Sequence, residues 1–157
     1  MEQDQSHELD KLILFKHDNT NLRSLRDPLH ILVIDDDPVT CHLIKKLLAD
    51  KYYFRACGNI QEGLNDYLFL MPDILFLDIN LGDKTFNGLD VLKSILKHDP
   101  KANVVIISSN GTTENIEEAY NNGASGFILK PFNPSKIIEY THKCESNKKN
   151  QEGILWN

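Results

Sequence analysis

Short, unbroken runs of apolar residues recur through the middle of the chain. Four of them are continuous and span positions 31–34, 74–77, 104–107 and 127–129. A fifth run, at 52–54, is weaker and consists of two tyrosines and a phenylalanine. Strands that are apolar at every position are typical of a parallel sheet, which is covered on both faces. The pattern therefore predicts five parallel strands.

Between these runs, apolar residues recur at helical spacing. Asp37-Pro38 and Asn133-Pro134 precede the first and last stripes, and each pair combines a capping side chain with a proline suited to the first turn. Gly123 follows the fourth stripe, where glycine commonly ends a helix. This alternation predicts an α/β fold, a doubly wound parallel sheet with helices on both faces. The stripes are Leu43, Ile44, Leu47 and Leu48; Ile60, Leu64, Tyr67 and Leu68; Leu89, Leu92, Ile95 and Leu96; Ile116, Ala119 and Tyr120; and Ile137, Ile138 and Thr141.

The two ends of the chain differ from this alternating middle. Residues 1–28 are mixed and polar, with a short amphipathic segment at 9–15, and residues 147–157 are polar again. A chain of 157 residues is typical of one domain. We therefore predict an N-terminal extension at 1–28, either flexible or a docking arm, one domain at 29–146, and a C-terminal tail at 147–157.

Composition narrows the class of protein. The formal net charge of −6 argues against a general binder of nucleic-acid backbones. No apolar run approaches the roughly 20 residues that a membrane span requires, and the polar start lacks the features of a secretory signal. Cys41, Cys57 and Cys144 are far apart, so neither a disulfide framework nor a zinc site is expected. We expect a cytoplasmic protein.

Polar side chains follow four of the predicted strands. The carboxyl ends of parallel strands lie at one edge of the sheet, where ligands of such folds bind, so we expect these side chains to converge. Singly, each has a plain structural explanation, such as a helix cap, a turn or a surface charge. Their joint placement indicates a site. The residues are Asp35, Asp36 and Asp37 after the first strand, Asp78 after the third, Ser108 and Ser109 after the fourth, and Lys130 after the fifth.

These residue types point to phosphoryl chemistry. Several carboxylates in one pocket repel each other unless a cation compensates their charge. Oxygen ligands favour a hard divalent ion, so we expect Mg²⁺, with Mn²⁺ as the alternative. Carboxylates, a divalent ion, a lysine and a hydroxyl are the groups that hold a transferring phosphoryl group. Any one of the carboxylates could serve as the nucleophile and form an acyl phosphate.

Over residues 30–146, the chain resembles a receiver domain of two-component response regulators, of the single-domain chemotaxis or sporulation type. The matching segments are ILVIDDDP, DILFLDINL, NGLDVL, VVIISS and GASGFILKPF. The resemblance implies a flavodoxin-like strand order, 2-1-3-4-5. Two departures stand out: the loop at 79–87 is longer than usual, and Ser109 replaces a smaller residue.

Carried over by position, the resemblance implies a metal and phosphoacceptor site. Asp78 is the expected phosphoacceptor. Asp36 is expected to bind Mg²⁺ directly, together with Asp78 and the main-chain carbonyl of Asn80. Asp35 is expected to hold the ion largely through water.

The resemblance also implies a switch. Ser108 is the expected switch hydroxyl, and Lys130 is the expected partner of the phosphoryl group, followed by a cis Lys130-Pro131 peptide. Phe127 stands at the position of the aromatic switch residue, although a plain core position would explain it as well. Tyr120 is expected on the surface that the switch changes.

The implied function is that of a phosphorylation switch in a phosphorelay, and not of an enzyme. A sensor histidine kinase or a histidine phosphotransfer protein would donate the phosphoryl group to Asp78, and the domain would assist its own dephosphorylation. The sequence leaves no room after residue 146 for an output domain, so we expect a stand-alone regulator that acts on a downstream protein. We expect no nucleic acid or membrane partner, and either a monomer or a phosphorylation-dependent dimer.

Three alternatives remain at this point. The segment DDDPV also fits a haloacid-dehalogenase-like phosphatase with Asp35 as nucleophile, but Asp78 would then have no role. A receiver-fold scaffold without phosphotransfer would not need the intact acidic set. A flavodoxin-like cofactor binder would need a phosphate loop after the first strand, where three aspartates would repel a phosphate.

Overall fold

Five parallel strands form one sheet in the order β2-β1-β3-β4-β5, as the resemblance implies. The computed structural model describes residue 23 and residues 26–82 and 85–155, with side chains described to residue 151. The segment at 9–15, and with it most of the predicted extension, lies outside these residues. The strands are β1 (His30–Ile34), β2 (Tyr53–Cys57), β3 (Ile74–Asp78), β4 (Val104–Ser108) and β5 (Gly126–Leu129).

The helices alternate with the strands, and their first turns are capped by side chains. Asp37 accepts a hydrogen bond from the amide of Val39, and Asn87 forms a capping box with Asp90. The last helix continues past residue 146, where the sequence analysis placed the end of the domain. The helices are α1 (Pro38–Leu48), α2 (Ile60–Leu70), α3 (Gly88–His98), α4 (Thr113–Asn121) and α5 (Pro134–Leu155).

Two apolar clusters cover the two faces of the sheet. Leu32 and Ile34 of β1 belong to the cluster that α2, α3 and α4 complete, while Ile31 and Val33 belong to the one that α1 and α5 complete. Successive residues of a strand point to opposite faces, so β1 needs apolar side chains at all of positions 31–34. This confirms helices on both faces, and none of the helices in the described ranges is long and apolar enough to span a membrane.

The register brings the carboxyl ends of the inner strands together. Ile34 pairs with Leu77, and Ser108 pairs with Leu129. The residues that follow these positions therefore share one edge of the sheet, which we call the carboxyl edge. The opposite, amino edge holds the starts of the same strands.

Candidate functional site

Three carboxylates meet at the carboxyl edge. Asp35 and Asp36 follow β1 and Asp78 ends β3, and each offers an oxygen within 4.8 Å of the others. Asp35 and Asp78 are buried, whereas Asp36 is exposed. The cluster brings together the three carboxylates among the four residues predicted to hold the metal, two of them buried and one exposed. The fourth is Asn80, through its main-chain carbonyl.

Backbone amides hold the two buried carboxylates in place. The amide of Asp37 donates to Asp35 Oδ1 at 2.8 Å, and the amide of Asn80 donates to Asp78 Oδ1 at 2.9 Å. Both bonds link a side chain to the amide two residues further on, a turn that aspartate favours. Each carboxylate therefore keeps its second oxygen for the cluster.

Lys130 is the cation that faces these free oxygens. Its Nζ lies 2.6 Å from Asp35 Oδ2 and 3.7 Å from Asp78 Oδ2. Its peptide bond to Pro131 is cis. Burial alone would lower the pKa of Lys130, but the hydrogen bond and charge of Asp35 raise it above its ordinary value. In this state the lysine pairs more closely with Asp35 than with Asp78.

The site carries more negative charge than Lys130 compensates. Burial raises the pKa of Asp78, and the charges of Asp35 and Asp36 add to the rise, against the opposing effects of the Asn80 amide and Lys130. Three carboxylates and one ammonium leave an excess of negative charge in a partly buried pocket. Carboxylate oxygens are the ligands that Mg²⁺ prefers, so the donor set fits this ion.

Ser108 forms hydrogen bonds within its own turn. Its buried Oγ donates to the carbonyl of Asn110 at 3.2 Å and accepts from the Asn110 amide at 3.0 Å. The side-chain amide of Asn80 also donates to Ser108 Oγ, at 3.1 Å, and to Ser109 Oγ, at 3.1 Å. The sequence analysis assigned only the main chain of Asn80, because no local pattern shows that its side chain bridges two loops.

Phe127 lies on β5, half-buried against the apolar cluster of α2, α3 and α4. Tyr120 of α4 is 47% exposed on the neighbouring surface. Gly126 precedes Phe127, and a Cβ there would collide with the ring of Tyr140 from α5. The absence of a side chain at Gly126 thus leaves room for the Tyr140 ring beside the predicted switch residue.

A cleft of about 400 Å³ opens beside Asp36, and the sequence analysis did not anticipate it. It lies between the loop that follows β2 and the long loop that follows β3. Gly82 has φ of 96° there, and a Cβ at this position would meet the carbonyl of Phe86. The lining residues are Asp36, Gly58, Asn59, Ile60, Gln61, Leu81, Gly82 and Phe86.

Fold and site together define a class of protein. The family model for the response regulator receiver domain matches residues 31–142. The chain belongs to this family, whose members are signalling proteins of two-component systems. Membership sets aside the dehalogenase-like phosphatase and the flavodoxin-like cofactor binder.

Individual relatives agree with this assignment. The chemotaxis protein CheY of Thermotoga maritima is 34% identical over 115 residues, which cover 72% of this chain and 94% of that protein. The nitrogen assimilation regulatory protein NtrX of Azorhizobium caulinodans is 33% identical over 115 residues, and the match spans only 25% of that longer protein.

Solved structures show the same fold. The receiver domain of NtrX from Brucella abortus superimposes with a TM-score of 0.67 at 32% identity, covering 73% of this chain and 96% of that one. A CheY-like receiver domain protein from Methanospirillum hungatei gives a TM-score of 0.68 at 26% identity, covering 80% and 97%.

Proposed function

We propose that this chain is a phosphorylation switch in which Asp78 accepts a phosphoryl group from a phosphohistidine. The single observation that carries the proposal is the juxtaposition of three carboxylates with Lys130, whose Nζ is 3.7 Å from Asp78 Oδ2. The donor would be a sensor histidine kinase or a histidine phosphotransfer protein. Family membership supports these partners as a class.

The transfer itself requires little covalent chemistry from the protein. A free oxygen of Asp78 attacks phosphorus and forms a P–O bond, while the P–N bond breaks and the imidazole nitrogen leaves with the bonding electrons. The Asn80 amide fixes the carboxylate through its other oxygen. A bound Mg²⁺, held by Asp36, Asp78 and the Asn80 carbonyl with Asp35 behind them, would neutralise charge on the phosphoryl oxygens.

Lys130 and Ser108 would form new contacts with the phosphoryl group. Phosphorylation adds about −1.5 to −2 charge and new acceptor oxygens. Lys130 would shift its contact from Asp35 towards the phosphoryl group, and Ser108 would exchange its bond to the Asn110 carbonyl for a phosphoryl oxygen. The movement of Ser108 would make room for the Phe127 ring and change the surface near Tyr120.

The output of the switch would be a protein contact. The proposed function includes a downstream protein target and a stand-alone role, as in the CheY relatives. The protein would be either a monomer or a phosphorylation-dependent dimer. The net charge of −6 is in keeping with a partner other than nucleic acid. A cytoplasmic location agrees with three cysteines that are free in the structure, Cys41, Cys57 and Cys144.

The test is phosphorylation by acetyl phosphate followed by intact-mass measurement. We expect a mass increase of one phosphoryl group with Mg²⁺ and none with a chelator. Asp78→Asn should abolish the increase, whereas Asp50→Asn, an exposed carboxylate after α1, should keep it.

Two outcomes would contradict the proposal. Labelling that survives in Asp78→Asn but is lost in Asp35→Asn would transfer the nucleophile to Asp35. Failure of the unaltered protein to accept phosphoryl from acetyl phosphate and from a phosphorylated histidine phosphotransfer protein would favour a scaffold without phosphotransfer.

A further inference from the structure

Two arginines that precede β1 pack against the amino edge of the sheet. Arg23 Nη2 lies 2.5 Å from Asp99 Oδ2, and its Nη1 donates to Asp99 Oδ1 at 3.1 Å. Arg23 also donates from Nε to the carbonyl of Met71 at 3.1 Å and from Nη2 to the hydroxyl of Tyr67 at 3.0 Å. A two-pronged contact with a carboxylate is the strong form of an arginine ion pair. Every nitrogen of this guanidinium has a partner.

Arg26 binds the same end of α2. Its Nη1 donates to the carbonyl of Leu70 at 2.5 Å, and its Nη2 donates to the carbonyl of Met71. The last carbonyls of a helix lack partners within the helix and carry partial negative charge. The last turn of α2 contains no basic residue, and Met71 ends it in a left-handed conformation, with φ of 45°. The two arginines thus supply the missing donors and the missing positive charge.

Two buried carboxylates depend on these cations. Asp99 is 6% exposed and Asp73 is 9% exposed. A buried carboxylate that loses its partner destabilises the fold, because its charge is then neither hydrated nor paired. Asp73 faces Arg26 Nη2 at 3.5 Å and accepts from the amide of His30 at 2.7 Å.

The last turns of α5 close over the same group. Lys148 Nζ lies 3.3 Å from Asp73 Oδ1 and donates to the carbonyl of Arg26. The side chain of Lys148 is 12% exposed. A residue that the sequence placed in a polar tail therefore contacts the backbone of a residue that it placed in a polar extension.

We propose that the carboxyl end of α2, together with Asp73 and Asp99, forms a binding site for two guanidinium groups, which Arg23 and Arg26 fill in the same molecule. The folded unit then includes Arg23 and Arg26 and the part of α5 beyond residue 146. Both arginines lie at the amino edge, separated from Asp78 by the length of β3, roughly 16 Å for five residues. The function of the carboxyl edge plays no part in this proposal.

Limited proteolysis with trypsin tests the site, because trypsin cleaves after arginine. In Asp99→Asn we expect cleavage after Arg23 at least tenfold faster than in the unaltered protein, with cleavage after Arg55 in β2 unchanged. Arg26→Gln should accelerate cleavage after Arg23 in the same way. This variant leaves Asp73 and Asp99 unchanged, so it provides the test if Asp99→Asn folds poorly. Asp50→Asn is the matched control and should change neither rate.

Three results would overturn the proposal. One is cleavage after Arg23 and Arg26 in the unaltered protein as fast as in urea-unfolded chain. Another is equal acceleration after Arg23 and after Arg55 in both variants, which would show general loosening. The third is cleavage after Arg23 and Arg26 that becomes faster when the protein is diluted, which would place the arginines in the site of a second copy.

Discussion

At the scale of single residues, Asp78 sits in an environment that opposes its charge. It is buried, it lies beside two further carboxylates, and the nearest ammonium is closer to Asp35 than to Asp78. The structure tolerates this arrangement because backbone amides hold each buried carboxylate from one side. Burial and the neighbouring carboxylates disfavour the ionised form of Asp78, so a neutral residue at this position should stabilise the fold.

We expect Asp78→Asn to stabilise the metal-free protein at neutral pH by about 1 kcal/mol. The raised pKa of Asp78 means that the folded state holds this proton more tightly than the unfolded state, where the ordinary value is 3.8. Protonated Asp78 therefore contributes to the stability of the unaltered protein at acid pH, and this contribution is lost as the pH rises through the raised pKa of Asp78. In urea unfolding, Asp78→Asn should have a larger free energy of unfolding than the unaltered protein at neutral pH, and the difference should shrink towards pH 3.8. Asp50→Asn should show no such increase.

Lys130→Met should have the opposite effect. The Asp35 side chain is 0% exposed, so the loss of its partner at 2.6 Å leaves an unpaired buried charge, at a cost of about 3 kcal/mol. The double variant with Asp35→Asn should lose less than the sum of the single losses, since the two residues interact directly. Additive losses in urea unfolding would show that the ion pair contributes no coupling.

Sequence patterns identified these site residues because each of them ends a strand or directly follows one. Asp35, Asp78, Ser108 and Lys130 occupy a position that the topology makes meaningful. Arg23 and Asp99 do not, since they are distant in sequence and no periodicity connects them. Their pairing depends on the three-dimensional approach of the chain end to α2 and α3, which only the structure shows.

At the scale of elements, packing between α3 and β3 places the phosphoacceptor candidate. Gly88 begins α3, and a Cβ there would collide with the carbonyl of Asp78 and lie 2.5 Å from Ile79 Cα. The collision is with backbone, which cannot rotate aside as a side chain can. The start of α3 thus fixes how closely the helix approaches the end of β3.

Gly88→Ala should therefore destabilise the protein by about 2–3 kcal/mol and weaken Mg²⁺ binding, because the end of β3 must shift. Gly58→Ala is the matched control: a Cβ there has its nearest neighbours at 3.8 Å, so we expect a change within about 0.5 kcal/mol. Thermal unfolding with and without Mg²⁺ measures both effects. Equal behaviour of the two variants would contradict the role of the close approach.

The elements themselves were predictable to different degrees. The inner strands contain continuous apolar runs, so their bounds follow from the sequence to within one residue, the additional residues being His30, Asp78 and Ser108. β2 is an edge strand that alternates exposed and covered residues, and it begins at Tyr53 and reaches Cys57, further than the aromatic run at 52–54 indicated. The end of α5 was missed because Lys148 is polar, and a polar helix that packs through ion pairs resembles a solvated tail.

At the scale of the whole molecule, the two edges of the sheet differ in charge balance. At the amino edge, two arginines and a lysine face two buried carboxylates and the end of α2. At the carboxyl edge, one lysine faces three carboxylates. The amino edge thus pairs its buried carboxylates with cations of the protein itself, whereas the carboxyl edge keeps an excess of negative charge that fits a cation.

Mg²⁺ should therefore raise the stability of the whole domain. At a concentration tenfold above Kd, binding to the folded state alone contributes about 1.4 kcal/mol, or roughly 3–6 °C in Tm for a protein of this size. Asp36→Asn should abolish the increase with little effect on the metal-free Tm, because Asp36 is exposed. Scanning calorimetry at increasing Mg²⁺ concentrations, without Ca²⁺, measures this rise in Tm. An equal rise in Asp36→Asn would exclude Asp36 as a ligand.

The side-chain amide of Asn80 has one more consequence, which concerns Ser108. Its two hydrogens have separate acceptors, Ser108 Oγ and Ser109 Oγ, and the residue is exposed. If Ser108 turns towards another partner, the Asn80 amide keeps its bond to Ser109, while its bond to Ser108 and the two bonds between Ser108 and Asn110 are lost, each ordinary hydrogen bond contributing ~1 kcal/mol. A new partner of Ser108 must therefore compensate these bonds, and Ser109 reduces the loss because it keeps one hydrogen of the Asn80 amide bonded.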